Sequence, residues 1–323
     1  EKTVIIMTEF NLQPAVSKLL TATEQQLGQK IKIQPAVRLN SNWLRHDQGK
    51  HFLHNGQMVI SIGNLAAVDF IVSHELLHLQ LLKAPVPQLQ FNLTTGNLQL
   101  DERLMAAGLE LYDTLLHFTV YQQQRQLGLI TEKIEEDFYR GILATLKPEK
   151  PINDQWMVLR LLSLLDGLVF FQGQDQVIQK LTELYPRSMN GASQLFELIT
   201  EKDLNGPLAL RRGMVKALKG FEQQLKIWQL PSLQLRQFLT LTPVFSQRQM
   251  RLQVRQLFAI YHTDWQDNLQ FTRAYIGYYQ ADQQNSFVLP APQTAQPEAY
   301  FKKIYQQSVT EFMQENGFIY QLR

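Results

Sequence analysis

Apolar residues recur along this chain at two spacings, and the change between them outlines its elements. Thr3 to Met7 is a β-branched run that reads as a strand. From Asn11 to Leu27, residues Val16, Leu19, Leu20 and Leu27 sit at helical spacing. Ile31, Ile33 and Val37 restore the strand pattern over Lys30 to Arg38, with Pro35 pointing to a sheet edge. A turn at Asn55-Gly56 precedes Met58, Ile60 and Ile62, which mark another strand. Asn64 then suits the N-cap of a helix from Leu65 to Lys83, stopped by Pro85 and Pro87. After a loop over Ala84 to Asn97, a long helical pattern runs from Gln99 to Leu127, with Asp101 and Glu102 in its first turn.

Pro148 and Pro151, set among charges between Lys147 and Asp154, mark a boundary. Beyond it the pattern reads as helix, with turns at Tyr185-Pro186, Asn205-Gly206-Pro207 and Leu230-Pro231. A connector over Pro290 to Pro297 leads to a last amphipathic helix, Glu298 to Asn316. The expected fold is α+β and predominantly helical. It has a small N-terminal sheet and an active-site helix within residues 1–147, then an all-helical C-terminal half over residues 148–323.

Composition narrows the choice of partner. The longest apolar stretch, Met157 to Phe171, is interrupted by Arg160 and Asp166 and is too short to cross a bilayer, so no membrane span is expected. The net charge of +2 is spread along the chain, without the basic footprint of a nucleic-acid binder. Arg211, Arg212, Lys216 and Lys219 fall at helical spacing and read as a solvated helix face. The absence of cysteine excludes disulfides, thiolate catalysis and thiolate metal ligands. It suits a cytoplasmic protein, although many secreted bacterial proteins share it.

The candidate chemistry lies in His74-Glu75-Leu76-Leu77-His78, an HExxH pattern inside the expected helix. Residues four apart on a helix share a face, so both imidazoles project together and can hold one Zn²⁺. Glu75 can reach a metal-held water as general base without being a ligand. Phe70, Ile71 and Val72 before the motif and Leu79, Leu81 and Leu82 after it predict burial. Buried imidazoles and a carboxylate need partners, and a metal ion supplies one.

A catalytic zinc needs a third protein ligand and an open position. Leu79 to Ala84 offer no donor suited to zinc, so that ligand is expected from the next helix. Glu102 is the first choice, ahead of Glu110, with Asp101, Asp113 and His117 as the other donors. Ala106, Ala107 and Gly108 would allow a close approach to the motif helix.

HExxH followed by Leu100-Asp101-Glu102-Arg103-Leu104 resembles the gluzincin metallopeptidases over about residues 55 to 115. By that resemblance His74, His78 and Glu102 are ligands, Glu75 is the base, and Met58 to Ile62 is the edge strand that aligns an extended substrate. The chain departs from the pattern with Asp101 where Asn is typical and Ala106 where an orienting acid is usual. It also lacks a Gly-x-Met-Glu-Asn segment. Tyr112, His117, Tyr261 and His262 are candidate oxyanion partners. The expected function is zinc-dependent hydrolysis of peptide bonds in a peptide or protein substrate. The alternative is a non-catalytic helical regulator or interaction protein retaining a zinc-binding, peptidase-like site.

Overall fold

The computed structural model describes residues 10–39 and 42–323. The strand expected at Thr3 to Met7 lies outside them. The chain begins with α1 (Pro14–Leu27), β1 (Ile31–Pro35), β2 (Gly49–His54), β3 (Gln57–Ile62) and α2 (Val68–Lys83). Two short strands, β4 (Leu89–Gln90) and β5 (Leu93–Thr94), precede α3 (Leu98–Gln126), α4 (Glu132–Thr145), α5 (Met157–Phe170), α6 (Asp175–Leu184), α7 (Pro186–Thr200) and α8 (Pro207–Ile227). The remainder comprises α9 (Leu235–Phe238), β6 (Thr240–Leu241), β7 (Val244–Phe245), α10 (Gln247–Met250) and α11 (Val254–Leu257). It continues with β8 (Phe258–Asp267), β9 (Arg273–Tyr279), β10 (Gln284–Pro290), α12 (Pro297–Gln306), α13 (Val309–Glu315) and β11 (Gln321–Leu322).

These elements cluster into two compact units, neither continuous in sequence. One comprises Glu1–Ala84 and Leu116–Ala192, the other Pro85–Leu115 and Ser193–Arg323. The division runs through α3, between Leu115 and Leu116.

In the first unit, β2 and β3 form a hairpin whose turn puts Asn55 at φ 50° and Gly56 at φ 80°. Left-handed backbone at both positions is what a two-residue turn between twisted strands requires, and Asn-Gly adopts it readily. The sheet order is β1-β3-β2, with β1 parallel and β2 antiparallel to β3. The strand over Met58 to Ile62 is therefore central. This corrects its expected place at the edge, because it bonds partners on both sides while β2 bonds one among the described residues. The Asn64 side chain accepts from the Ala66 amide and opens a 3-10 turn, Leu65–Ala67, that leads into α2. Residues 65–83 are long and apolar enough to cross a membrane by composition alone. In the fold Phe70 to Leu77 are all buried, as in a core helix.

The second unit overturns the expectation of an all-helical C-terminal half. It holds a four-stranded sheet in the order β10-β9-β8-β5, with β8, β9 and β10 all beyond residue 148. The signal was weak for a physical reason. Gln284, Asn285 and Ser286 of β10 are polar yet buried, so neither alternation nor an apolar run marks the strand. Phe245, Phe258, Phe287 and Phe312 pack together in this unit's aromatic core. The last helical pattern is two helices, α12 and α13, separated at Gln307 and Ser308, with Ser308 capping the second.

Candidate metal centre

His74 and His78 lie one turn apart on α2, with Nε2 atoms 3.2 Å apart. A third imidazole meets them from α3, where His117 Nε2 lies 3.2 Å from His78 Nε2. The three ligand atoms are all within 4.8 Å of one another, and His74 and His117 are buried. The register of α3 against α2 is held by Gln124, about two turns beyond His117. Its Nε2 donates at 2.8 Å to the Phe70 carbonyl and at 2.8 Å to Ser73 Oγ.

The other nitrogen of His117 is tied down. Nδ1 lies 2.5 Å from Asp166 Oδ1 on α5. The second carboxylate oxygen lies 3.1 Å from His46 Nδ1 and accepts from the Tyr121 hydroxyl at 3.1 Å. Burial works against the Asp166 carboxylate, but the imidazoles of His117 and His46 outweigh it and hold its pKa far below the ordinary carboxylate range. An aromatic shell encloses this side. Phe138 stacks on Phe170 at 3.8 Å, and Tyr121 and Phe70 meet Phe170 edge-on. His46 stands in the 3-10 turn His46–Gln48, and Leu44 just before it donates its amide to the Asp137 carbonyl of α4.

The residues present fit a metal ion. Tetrahedral zinc with bonds of 2.0–2.1 Å to nitrogen sets its ligands about 3.3 Å apart, close to both short separations here. The protein groups cannot satisfy one another. With Nδ1–H aimed at Asp166, the neutral tautomer of His117 would present a lone pair at Nε2. His78 Nε2 carries one proton or one lone pair, yet faces two nitrogens at the same distance. His74 Nδ1 is buried with no hydrogen-bond partner among the described residues. Burial, and then the neighbouring imidazoles, lower the pKa of His74 and His78 well below 6.5. Both rings are thus kept in the neutral form that metals bind.

No family model, curated protein or solved structure matches this chain.

Glu102, expected to be the third ligand, is exposed and does not belong to this group. It lies in Pro85–Leu115, the stretch that clusters with the second unit, whereas α3 joins the first unit only from Leu116. His117, about four helical turns further on, takes the third place. Glu110 and Asp113 belong to the same Pro85–Leu115 stretch. Asp101 has a local role, accepting from Thr94 Oγ1 at 2.5 Å and from the Thr95 amide at 2.9 Å. Among the candidate oxyanion partners, Tyr112 donates to the Pro87 carbonyl at 3.0 Å. Tyr261 and His262 stand on β8 in the second unit.

Glu75 is buried between α2 and β2. Its Oε2 lies 2.7 Å from His51 Nδ1. A Cβ added at Gly49 would fall 2.3 Å from Glu75 Oε1. Gly49 and His51 share one face of β2, so a single strand provides both the space and the donor. On α2, Glu75 is three residues from His78 and neighbours it on the helix surface.

Sequence reasoning missed Asp166, His46, His51 and Tyr121. Asp166 alone left a trace, as a charge interrupting an apolar run.

Proposed function

We propose that this chain is a zinc-dependent metallopeptidase whose metal is held by His74, His78 and His117. The observation that carries this reading is the position of His78 Nε2, 3.2 Å from the Nε2 atoms of both His74 and His117. Zinc held there would lower the pKa of a bound water to about 7 and polarise a carbonyl oxygen. Glu75, one helical turn from His78 on α2, would serve as the base that takes up a proton from such a water and returns it to the leaving amine. Asp166 keeps His117 in the tautomer that offers Nε2. The outer edge of β2 bonds no strand among the described residues and would pair with an extended peptide backbone.

The gluzincin resemblance supports the motif helix and its base. The third donor in this reading is an imidazole, a neutral ligand where that family uses a carboxylate.

The test combines metal analysis with turnover. Wild type and Glu75→Gln should each hold about one zinc per chain, His74→Ala should hold far less, and wild type alone should cleave fluorescein-labelled casein. Zinc-free wild type that takes up none when it is supplied would sink the reading.

A further inference from the structure

Glu75 is a carboxylate 5% exposed, and a buried carboxylate without hydrogen bonds is costly. His51 provides one at 2.7 Å, a separation in the charge-assisted range. The side chain of His51 is 28% exposed against 7% for Glu75, so the imidazole is the more solvent-exposed partner of the pair. The last torsion of a glutamate is broad and does not orient its own oxygens. Here Oε1 is set over Gly49 and Oε2 on His51, two residues apart along β2.

We propose that His51 is a positioning residue for Glu75, fixing the direction in which its carboxylate faces the three-histidine site. The proposal rests on the metallopeptidase reading and adds a residue that the motif does not contain. A partner serving only to neutralise buried charge could come from any side. This one comes from the strand that would seat the substrate, on the same face as the glycine that admits the carboxylate. The base and the peptide-binding edge are thereby held in one register, since both belong to β2 or bond to it. His51 acts through Glu75 and needs no contact with substrate.

The test avoids any need to know the substrate. Full-length chains loaded with Co²⁺ are titrated with acetohydroxamate and followed by the visible absorption of the cobalt. This probe binds the metal through oxygen and places its acidic proton beside a neighbouring carboxylate, so its affinity reports where Glu75 points. Glu75→Gln and His51→Leu should each weaken binding about tenfold, the worth of one hydrogen bond to a charged group. His51→Asn, which puts an amide nitrogen near the Nδ1 position, should stay within about threefold of wild type. Cobalt per chain should be unchanged in all variants, which also shows that they fold.

Wild-type affinity in His51→Leu, with Glu75→Gln weakened, would overturn the proposal and leave the metallopeptidase reading intact. Loss of cobalt in His51→Leu would overturn it too, since His51 would then support the site as a whole. Wild type that takes up no cobalt would remove both together.

Discussion

His117 Nδ1 and Asp166 Oδ1 lie 2.5 Å apart although their residues belong to different helices, α3 and α5. That pairing makes Asp166 the residue that would orient the proposed third ligand. Asp166→Asn should therefore weaken metal binding by about 10- to 100-fold without abolishing it. Competition against a chelator of known affinity measures this, and an unchanged affinity would count against the role.

His117 and Glu102 make opposite predictions for the same helix. His117→Ala should release most of the metal, while Glu102→Ala should keep about one ion per chain. Metal analysis after dialysis decides between them. Retention by His117→Ala with loss by Glu102→Ala would restore the carboxylate ligand that the sequence suggests.

Gly49 has no room for a methyl group beside Glu75. Gly49→Ala should cost about 1–3 kcal/mol of stability through overpacking, and displacement of the carboxylate should lower turnover by more than the lost stability explains. Urea unfolding and casein cleavage, measured together, check both halves. A variant matching wild type in each would show that the strand yields at no cost.

Arg160 is fully buried and donates to Asp154 Oδ2 at 2.6 Å and to the Lys147 carbonyl at 2.9 Å. The hydrogen bond from Arg160 lowers the pKa of Asp154 below 3.8. In the unfolded chain Asp154 takes up its proton near 3.8, earlier on acidification than in the fold. Its contribution is therefore complete above about pH 4 to 5 and is lost as pH falls through the lower folded value. Asp154→Asn should destabilise the protein at pH 7 by on the order of 3 kcal/mol, since it leaves a buried guanidinium without its counter-charge. The difference from wild type should shrink below pH 3, as followed by urea unfolding at stepped pH. A constant difference across that range would refute the assignment.

The local elements near the motif were legible because local rules govern them. Asn55-Gly56 forms its turn through backbone freedom, Asn64 caps through its own side chain, and Pro85 stops α2 through sterics. The sheet of the second unit was not legible, because β10 buries Gln284, Asn285 and Ser286. Their partners, such as the Leu239 carbonyl that accepts from Gln284 Nε2 at 2.7 Å, are distant in sequence. Polar residues whose donors are bonded inside the fold in this way look like surface in a one-dimensional pattern.

The same distinction runs through the site. His74, Glu75 and His78 are set by helical spacing alone, so the chain by itself determined that two imidazoles share a face with a carboxylate beside them. The interruption of an apolar run by Arg160 and Asp166 was visible as well, since charges in such a run demand partners. Which partners they find was decided only by the tertiary structure. Asp166 meets His117 and His46, β2 brings Gly49 and His51 to Glu75, and α3 joins the unit holding α2 only beyond Leu115. The third imidazole of the cluster is placed by where one helix passes another. That crossing is set by side-chain packing and the clamp of Gln124, and neither has a period along the chain.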